Sequence, residues 1–189
     1  MDSTELSGGM LSAWNPKKDV FSSFLTPTRI MLDGFFKDLD RSMKLIHCYG
    51  LYSDREVFWE AIKREGIFNE QNLILGGDLN FTTSIREVWG AHAREDPLLP
   101  FFSQLIQDEG LANVEPLKFL PTWRNLRVGE AHVAKILDHY LIIESMSKLP
   151  FQYRQWIGSG GESNHSPVWF VVAGESDHSP VWFAVEGGP

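Results

Sequence analysis

The sequence contains a single cysteine, Cys48, among its 189 residues. One thiol cannot form an intrachain disulfide or a cysteine metal cage, which excludes a disulfide-stapled scaffold and a cysteine-based zinc module. Long hydrophobic runs are also absent: the longest, residues 168–173, has six residues, far below the roughly 20 that span a bilayer. The first residues carry neither a basic segment nor an apolar core, so we expect no signal peptide, no membrane contact and an intracellular location.

Positive charge is scarce as well. The chain has 17 Lys and Arg residues against 25 Asp and Glu residues, a net charge of −8, which argues against a broad cationic surface that binds nucleic acid by charge alone. The 43% hydrophobic content is typical of a globular chain. If the protein acts on phosphates, something else must neutralise them, and a divalent cation is the obvious candidate.

The pattern along the chain predicts strands that alternate with helices. An N-cap at Ser53 and apolar residues at helical spacing predict a helix that ends near Gly66. A second helix is expected over 100–109, where a proline opens the segment and Gly110 follows it. Strands are predicted over 10–14, 20–25, 30–36, 43–49, 72–75, 137–143 and 154–157. This alternation favours a layered α/β or α+β domain, and we expect residues 1–7 to be disordered and 8–189 to form that domain.

The C-terminal region contains a local duplication. Residues 162–172 read ESNHSPVWFVV and residues 175–185 read ESDHSPVWFAV. Nine of the eleven positions match, and the differences are Asn164 against Asp177 and Val171 against Ala184. Two copies are too few for a solenoid, so the feature is a duplicated motif and not a repeat architecture.

A glycine-rich segment, residues 76–80 (GGDLN), directly follows an apolar strand. The glycines let the backbone turn sharply, and Asp78 and Asn80 then project from the same side of an extended segment. An acid that deprotonates water, beside an amide that contacts a phosphoryl oxygen, suits hydrolysis. Taken alone, these five residues favour a simpler reading, a glycine-rich turn with side-chain capping.

Two further groups could carry chemistry. Residues 176–180 (SDHSP) place Asp177 beside His178 just before an apolar strand, although a turn before proline with an exposed histidine explains the pattern more simply. Asp138 lies within an apolar strand, where a buried carboxylate needs a partner such as His178. Each signal is weak alone, but their order along the chain is specific.

That order resembles the endonuclease/exonuclease/phosphatase family. The resemblance rests on residues 76–80, Pro121-Thr122-Trp123, Asp138 in its strand and residues 176–180. The strongest likeness, which also involves residues 8–15, 45–50 and 119–125, is to the endonuclease domain of plant non-LTR (LINE-type) retrotransposons. It covers nearly the whole chain from residue 8 onward. It implies an α/β fold, a four-layer sandwich of two packed mixed β-sheets flanked by helices.

The resemblance also implies an activity. It is divalent-metal-dependent hydrolysis of phosphodiester bonds in DNA, assisted by Mg²⁺ or Mn²⁺, and the nucleus is the implied location. Asp78 matches the residue that activates the attacking water, and Asn80 the one that holds a phosphate oxygen. Tyr49 matches a tyrosine that contacts the scissile phosphate, although a tyrosine that ends a strand is more often simply half-buried. Asp138 and His178 match the family's Asp–His pair, and no protein partner is indicated.

The duplication leaves two candidates for the last motif. Asp177 matches a carboxylate near the metal, and His178 follows it. The first copy, Asn164 and His165, lies in the expected register but lacks the acid. If the second copy occupies the site, the first must loop out or form an extra strand.

The sequence departs from the family's pattern at its start. The family opens with a strand that carries an asparagine, followed by a segment whose glutamate is the principal metal ligand. No residue of this chain matches either one, so we expect the first strand and helix of the family to be missing and the activity to be weak or absent. The surplus apolar strand of the duplication could cover the resulting gap in a sheet. A non-catalytic remnant that binds nucleic acid and a phosphatase for a small phosphorylated substrate remain alternatives.

Overall fold

The residues that the structure, a computed structural model, describes are 10–15, 17, 19–160, 163–174 and, as backbone alone, 181–185. They form two α-helices, α1 (Arg55–Arg64) and α2 (Leu99–Asp108), and the strands β1 (Asp19–Thr26), β2 (Arg29–Phe36), β3 (Arg41–Tyr49), β4 (Leu73–Asp78), β5 (Val88–Trp89), β6 (Leu111–Asn113), β7 (Trp123–Arg124), β8 (Ala134–Lys135), β9 (Asp138–Ile143), β10 (Phe151–Ile157), β11 (Val168–Gly174) and β12 (Val181–Val185). None of the helices described is long and apolar enough to cross a membrane.

A six-stranded sheet in the order β1-β2-β3-β4-β9-β6 forms the centre of the molecule. Strands β3 and β4 run parallel, and the other neighbours are antiparallel. Every residue of β4 is buried, because both faces of the sheet are covered in its middle. Its apolar start and its glycines suit that position, since a fully covered strand has no solvent face that needs polar residues.

The two faces of this sheet have separate cores. On one face, Trp59 and Ile62 of α1 and Phe102 and Leu105 of α2 pack against the sheet. In each helix the two buried residues are three positions apart, so both helices bury one stripe and expose the other. Helix α2 ends before Gly110, whose φ of 58° is left-handed, as expected for a residue that terminates a helix.

A second sheet, in the order β10-β11-β12, packs on the other face. Val168, Phe170 and Val172 of β11 are fully buried in the core between the two sheets. The α/β fold class expected from the sequence is confirmed. In the described residues, helices, central sheet and second sheet form three layers and not the expected four, because both α-helices pack on the same face of the central sheet. A small third sheet of two-residue strands, in the order β5-β8-β7, lies beside them.

Both copies of the duplicated motif contribute to the second sheet. The first copy supplies β11 and the second supplies β12, which pairs antiparallel with β11 so that Val168 lies opposite Val185. The extra strand predicted from the duplication therefore extends an existing sheet. Whether it replaces a strand of the family stays a prediction.

Two local predictions were wrong. Residues 10–15 form no strand, although Met10 packs against the core between the sheets. The N-cap of α1 is Asp54 and not Ser53, and Asp54 has a left-handed φ of 53° and makes no side-chain capping hydrogen bond. The start of α1 is held instead through Arg55, whose contacts are described below.

Candidate active site

Two carboxylates face each other where the central strands end. Asp78 is the last residue of β4 and Asp138 the first of β9, and the two are direct partners in the antiparallel register. Only 6% of Asp78 and 1% of Asp138 are exposed. Like charges directly opposite each other destabilise a sheet, and burial adds to the cost. A fold that keeps this pair needs a compensating group beside it.

Burial and the neighbouring charge have a clear effect on Asp78. Desolvation, reinforced by the charge of Asp138, raises the pKa of Asp78 to about 7. The charge of His165 and the backbone N–H of Asn80, which donates to Asp78 Oδ1 at 3.1 Å, oppose that rise. A carboxyl group with a pKa near neutrality can both accept and release a proton at physiological pH.

The compensating group is His165, from the first copy of the duplicated motif. Its Nδ1 lies 3.4 Å from Asp138 Oδ2, and its Nε2 lies 3.8 Å from Asp78 Oδ2. Burial disfavours the charged imidazole, but the hydrogen bond to Asp138 and the charges of Asp138 and Asp78 outweigh it and raise the pKa of His165. A protonated imidazole between two carboxylates offsets their repulsion.

Backbone pairing places this histidine. His165 forms an isolated antiparallel bridge with Trp123 of β7. On either side of the bridge, Arg124 N–H donates to the Asn164 carbonyl at 2.8 Å and Ser166 N–H donates to the Thr122 carbonyl at 2.7 Å. The segment before β11 is thereby fixed against the segment 122–124, and the imidazole points between the two carboxylates.

Asn80 lies beside the pair in a left-handed conformation with a φ of 55°. Its amide Nδ2 donates to the Gly50 carbonyl at 2.6 Å, which leaves a second N–H on that nitrogen for another acceptor. Gly50 N–H in turn donates to the Asp78 carbonyl at 2.6 Å. The turn after β4 is therefore tied to the end of β3.

Tyr49 occupies the neighbouring position on β3, directly opposite Asp78 in the parallel register. It is 42% exposed, so its side chain borders the site and faces solvent. Burial and the charge of Asp78 raise the pKa of the Tyr49 phenol, which therefore stays protonated and can donate a hydrogen bond. The structure thus brings Tyr49, Asp78, Asn80 and Asp138 together, as the sequence predicts.

Thr122 is a site residue to which the sequence analysis gave no role. It is fully buried, and its Oγ1 accepts hydrogen bonds from the N–H groups of Leu137 at 2.9 Å and Asp138 at 3.2 Å. The hydroxyl thereby fixes the start of β9 and the direction of the Asp138 side chain. Its presence in the Pro121-Thr122-Trp123 motif was the available signal, but the motif does not reveal the contact.

Of the second copy of the motif, the described residues are those of β12. Asp177 and His178 lie outside the described residues, so their predicted roles stay predictions. Asn164 of the first copy is present beside the site, and its Oδ1 is buried without a hydrogen-bond partner, as is Oδ1 of Asp138.

A complete metal centre is not assembled by the part of the chain that the structure describes. In that part, no three or more His, Cys, Asp or Glu side chains are arranged to hold an ion. The two buried, unpaired oxygens of Asn164 and Asp138 are oxygen donors of the kind that Mg²⁺ prefers. They do not by themselves provide the ligand number that a protein metal site needs.

The chain has an endonuclease/exonuclease/phosphatase-type fold, as expected from the sequence, and its likeness to solved structures shows this. Among solved structures, the chain is similar to the endonuclease domain of TRAS1, a telomere-specific non-LTR retrotransposon, with a TM-score of 0.63. The two are 16% identical, and the match covers 80% of this chain and 66% of the TRAS1 domain. The chain therefore spans about two thirds of that domain, and the likeness establishes the fold alone.

Two other solved structures match at lower scores. One is zebrafish (D. rerio) TDP2 complexed with a single-stranded DNA product, with a TM-score of 0.47, 12% identity and coverage of 89% of this chain and 68% of that one. The other is the mannosyl-6-phosphatase Bt3783 of Bacteroides thetaiotaomicron, with a TM-score of 0.41, 17% identity and coverage of 77% and 57%. No protein-family model matches the chain, and no curated protein sequence matches it significantly.

Proposed function

We propose that this chain is a phosphodiester hydrolase that acts on DNA and is of retroelement origin. One observation carries the proposal: Asp78, Asp138 and His165, from three separate parts of the chain, converge within hydrogen-bond or ion-pair distance although burying them together is costly. Strongly perturbed titratable groups that gather at one edge of a sheet are typical of catalytic sites. The TRAS1 likeness supports a nucleic acid substrate.

In the proposed reaction, Asp78 is the general base. Its pKa of about 7 leaves it partly ionised at neutral pH, and it accepts a proton from the attacking water. The oxygen of that water forms a bond to phosphorus, and the bond from phosphorus to the leaving oxygen breaks. The leaving oxygen takes a proton from solvent, so the products are a phosphomonoester and a hydroxyl.

The other site residues stabilise charge and orient the phosphate. Charged His165 lies beside the position where negative charge develops, and Asp138 holds its ring. The second N–H of the Asn80 amide and the Tyr49 hydroxyl donate to phosphoryl oxygens at the solvent side of the site. The divalent cation implied by the family resemblance would add charge neutralisation.

The proposed activity is weak. Where the second copy of the motif has an acid, Asp177, the copy beside the site has Asn164, an uncharged ligand. A cation bound near Asp138 would therefore meet less negative charge than a carboxylate would provide. We expect turnover that needs a high concentration of Mg²⁺ or Mn²⁺.

A supercoiled-plasmid nicking assay tests the proposal. The chain is incubated with Mg²⁺, with Mn²⁺ or with EDTA, next to Asp78→Asn and the control Asp33→Asn, whose side chain is 62% exposed on β2. Metal-dependent nicking that Asp78→Asn abolishes and Asp33→Asn leaves intact supports the proposal. A folded sample without nicking contradicts it, and DNA binding without turnover would indicate a binding module instead.

The net charge favours one other candidate. A chain with a charge of −8 repels a long polyanion more strongly than a small phosphomonoester. The same samples are therefore assayed for phosphate release from inositol phosphates. Release without plasmid nicking would assign the site to a phosphatase.

A further inference from the structure

An ion pair outside the carboxylate site holds the turn that contains Asn80. Arg55, the first residue of α1, donates from Nη1 to Asp96 Oδ2 at 2.5 Å and from Nη2 to Asp96 Oδ1 at 2.8 Å. Nη1 also donates to the Asn80 carbonyl at 2.8 Å. The guanidinium lies over the Phe102 ring at 5.7 Å. We propose that Arg55 is a positioning residue that, together with Asp96, keeps Asn80 in its active conformation; this inference rests on the proposed function.

The backbone of Asn80 is strained. Asn80 adopts a left-handed φ of 55°, a conformation that costs free energy in a non-glycine residue and persists only when its surroundings hold it. Two hydrogen bonds hold Asn80 in place: its backbone N–H donates to Asp78 Oδ1, and its side-chain Nδ2 donates to the Gly50 carbonyl. Arg55 supplies a third by donating to the backbone carbonyl of Asn80.

The conformation of Asn80 affects the general base, Asp78. In this turn the Asn80 N–H donates to Asp78 Oδ1 at 3.1 Å, and that hydrogen bond favours the ionised form of the general base. If the Asn80 carbonyl were released, the peptide could rotate out of the left-handed region and withdraw the N–H. Arg55 would thereby affect a reaction that it does not touch.

The burial and the geometry of the Arg55–Asp96 pair suit it to hold the Asn80 carbonyl. The side chains of Arg55 and Asp96 are only 19% and 6% exposed, so water competes weakly for their hydrogen bonds. Three donors in a fixed plane are needed to contact two carboxylate oxygens and one carbonyl at once, which a guanidinium provides and an ammonium does not. Asp96 also accepts the N–H of Leu98 at 3.0 Å, which holds the carboxylate in place before α2.

The chain contains a matched control. Arg29 forms a second two-pronged ion pair, with Glu65, at 2.8 and 3.0 Å, and neither partner contacts residues 78–80 in the hydrogen bonds of the described structure. Arg29→Lys and Arg55→Lys both keep the charge and lose the planar fork. Glu65 is more exposed than Asp96, at 47% against 6%, so the comparison between the two variants concerns where the effect appears and not how large it is.

The test measures amide hydrogen exchange by NMR in both variants, at Asn80 and at Leu75 in the middle of β4. Arg55→Lys is expected to accelerate exchange at Asn80 by about tenfold or more and to leave Leu75 within about twofold, whereas Arg29→Lys leaves Asn80 unchanged. In the plasmid assay, kcat is expected to fall about 10- to 100-fold at nearly constant KM in Arg55→Lys only. Asp96→Asn should behave like Arg55→Lys.

The two readouts separate the possible failures. Unchanged exchange at Asn80 in a folded Arg55→Lys variant overturns the inference, whatever the activity. Equal acceleration at Asn80 and Leu75 also overturns it, because the pair then supports the whole fold. A wild-type chain that does not cut DNA but shows the selective acceleration contradicts the proposed function and leaves the positioning role supported.

Discussion

Asp78 and Asp138 are direct cross-strand partners at the end of β4 and the start of β9, and both are buried. Fold stability alone does not explain this arrangement, because an apolar pair at the same position would remove both the repulsion and the desolvation cost. Burial and the charge of Asp138 raise the pKa of Asp78, so ionised Asp78 disfavours the folded state.

Asp78→Asn is expected to stabilise the fold, and more so at high pH. The pKa of Asp78 is raised to about 7 from its ordinary value of 3.8, so ionised Asp78 disfavours the folded state increasingly as pH rises between those values. The gain should be small at pH 4 and on the order of a few kcal/mol at pH 8. Urea unfolding in EDTA measures it, and a gain that does not depend on pH would contradict the expectation.

The duplicated motif allows a matched test of which copy supplies the catalytic histidine. His165→Ala is expected to lower nicking by about 100-fold or more, since it removes the charged group between the carboxylates. His178→Ala changes the same residue in the same local sequence and is expected to retain activity. The reverse result would place the second copy at the site and would show that Asp177 and His178 carry the roles that the family resemblance assigns to them.

Thr122→Val is expected to destabilise the fold by about 1–3 kcal/mol, because two buried N–H groups, those of Leu137 and Asp138, lose their acceptor. Valine has nearly the same shape as threonine, so packing is conserved. Thr122→Ser retains the oxygen and should lose much less. Thermal unfolding of the two variants compares them directly, and similar losses would show that the methyl group matters more than the hydrogen bonds.

Asn164→Asp is expected to make stability depend on a divalent cation. The Asn164 Oδ1 is buried without a partner, so a carboxylate there is an uncompensated charge that destabilises the apo protein. Bound Mg²⁺ would compensate it, and the melting temperature should rise with added Mg²⁺ more in the variant than in the wild type. A variant that is insensitive to Mg²⁺ would show that no cation binds at residue 164.

The sequence predicted both helices and the longer strands β1–β4, β9 and β10, but not the short strands β5–β8. Apolar patterns indicated these elements, chemical motifs singled out Asp78, Asn80 and Asp138, and the family resemblance added Tyr49; these four residues meet at the site. None of these signals shows which distant segments of the chain pair in the folded protein. Neither periodicity nor motif spacing distinguishes between two nearly identical copies, so the position of His165 became clear only from its bridge to Trp123.

The missed contacts share one physical cause. Thr122 acts through a side-chain hydrogen bond that spans 15 residues, and Arg55 meets Asp96 across 41 residues. A local sequence pattern does not show which residues far apart along the chain will be in contact. The wrong N-cap at Ser53 has the same origin, because a local capping pattern was present but Arg55 contacts made at long range stabilise the start of α1.

The wide separation of the site residues along the chain has a consequence for synthesis. Asp138 leaves the ribosome 60 residues after Asp78, and His165 follows 27 residues later. Because a chain folds from its N-terminal part onward as it is made, β3 and β4 can pair well before either partner of Asp78 exists. The nascent chain therefore passes through a period in which most of its central sheet is present but the side chains of Asp78, Asp138 and His165 have not yet come together.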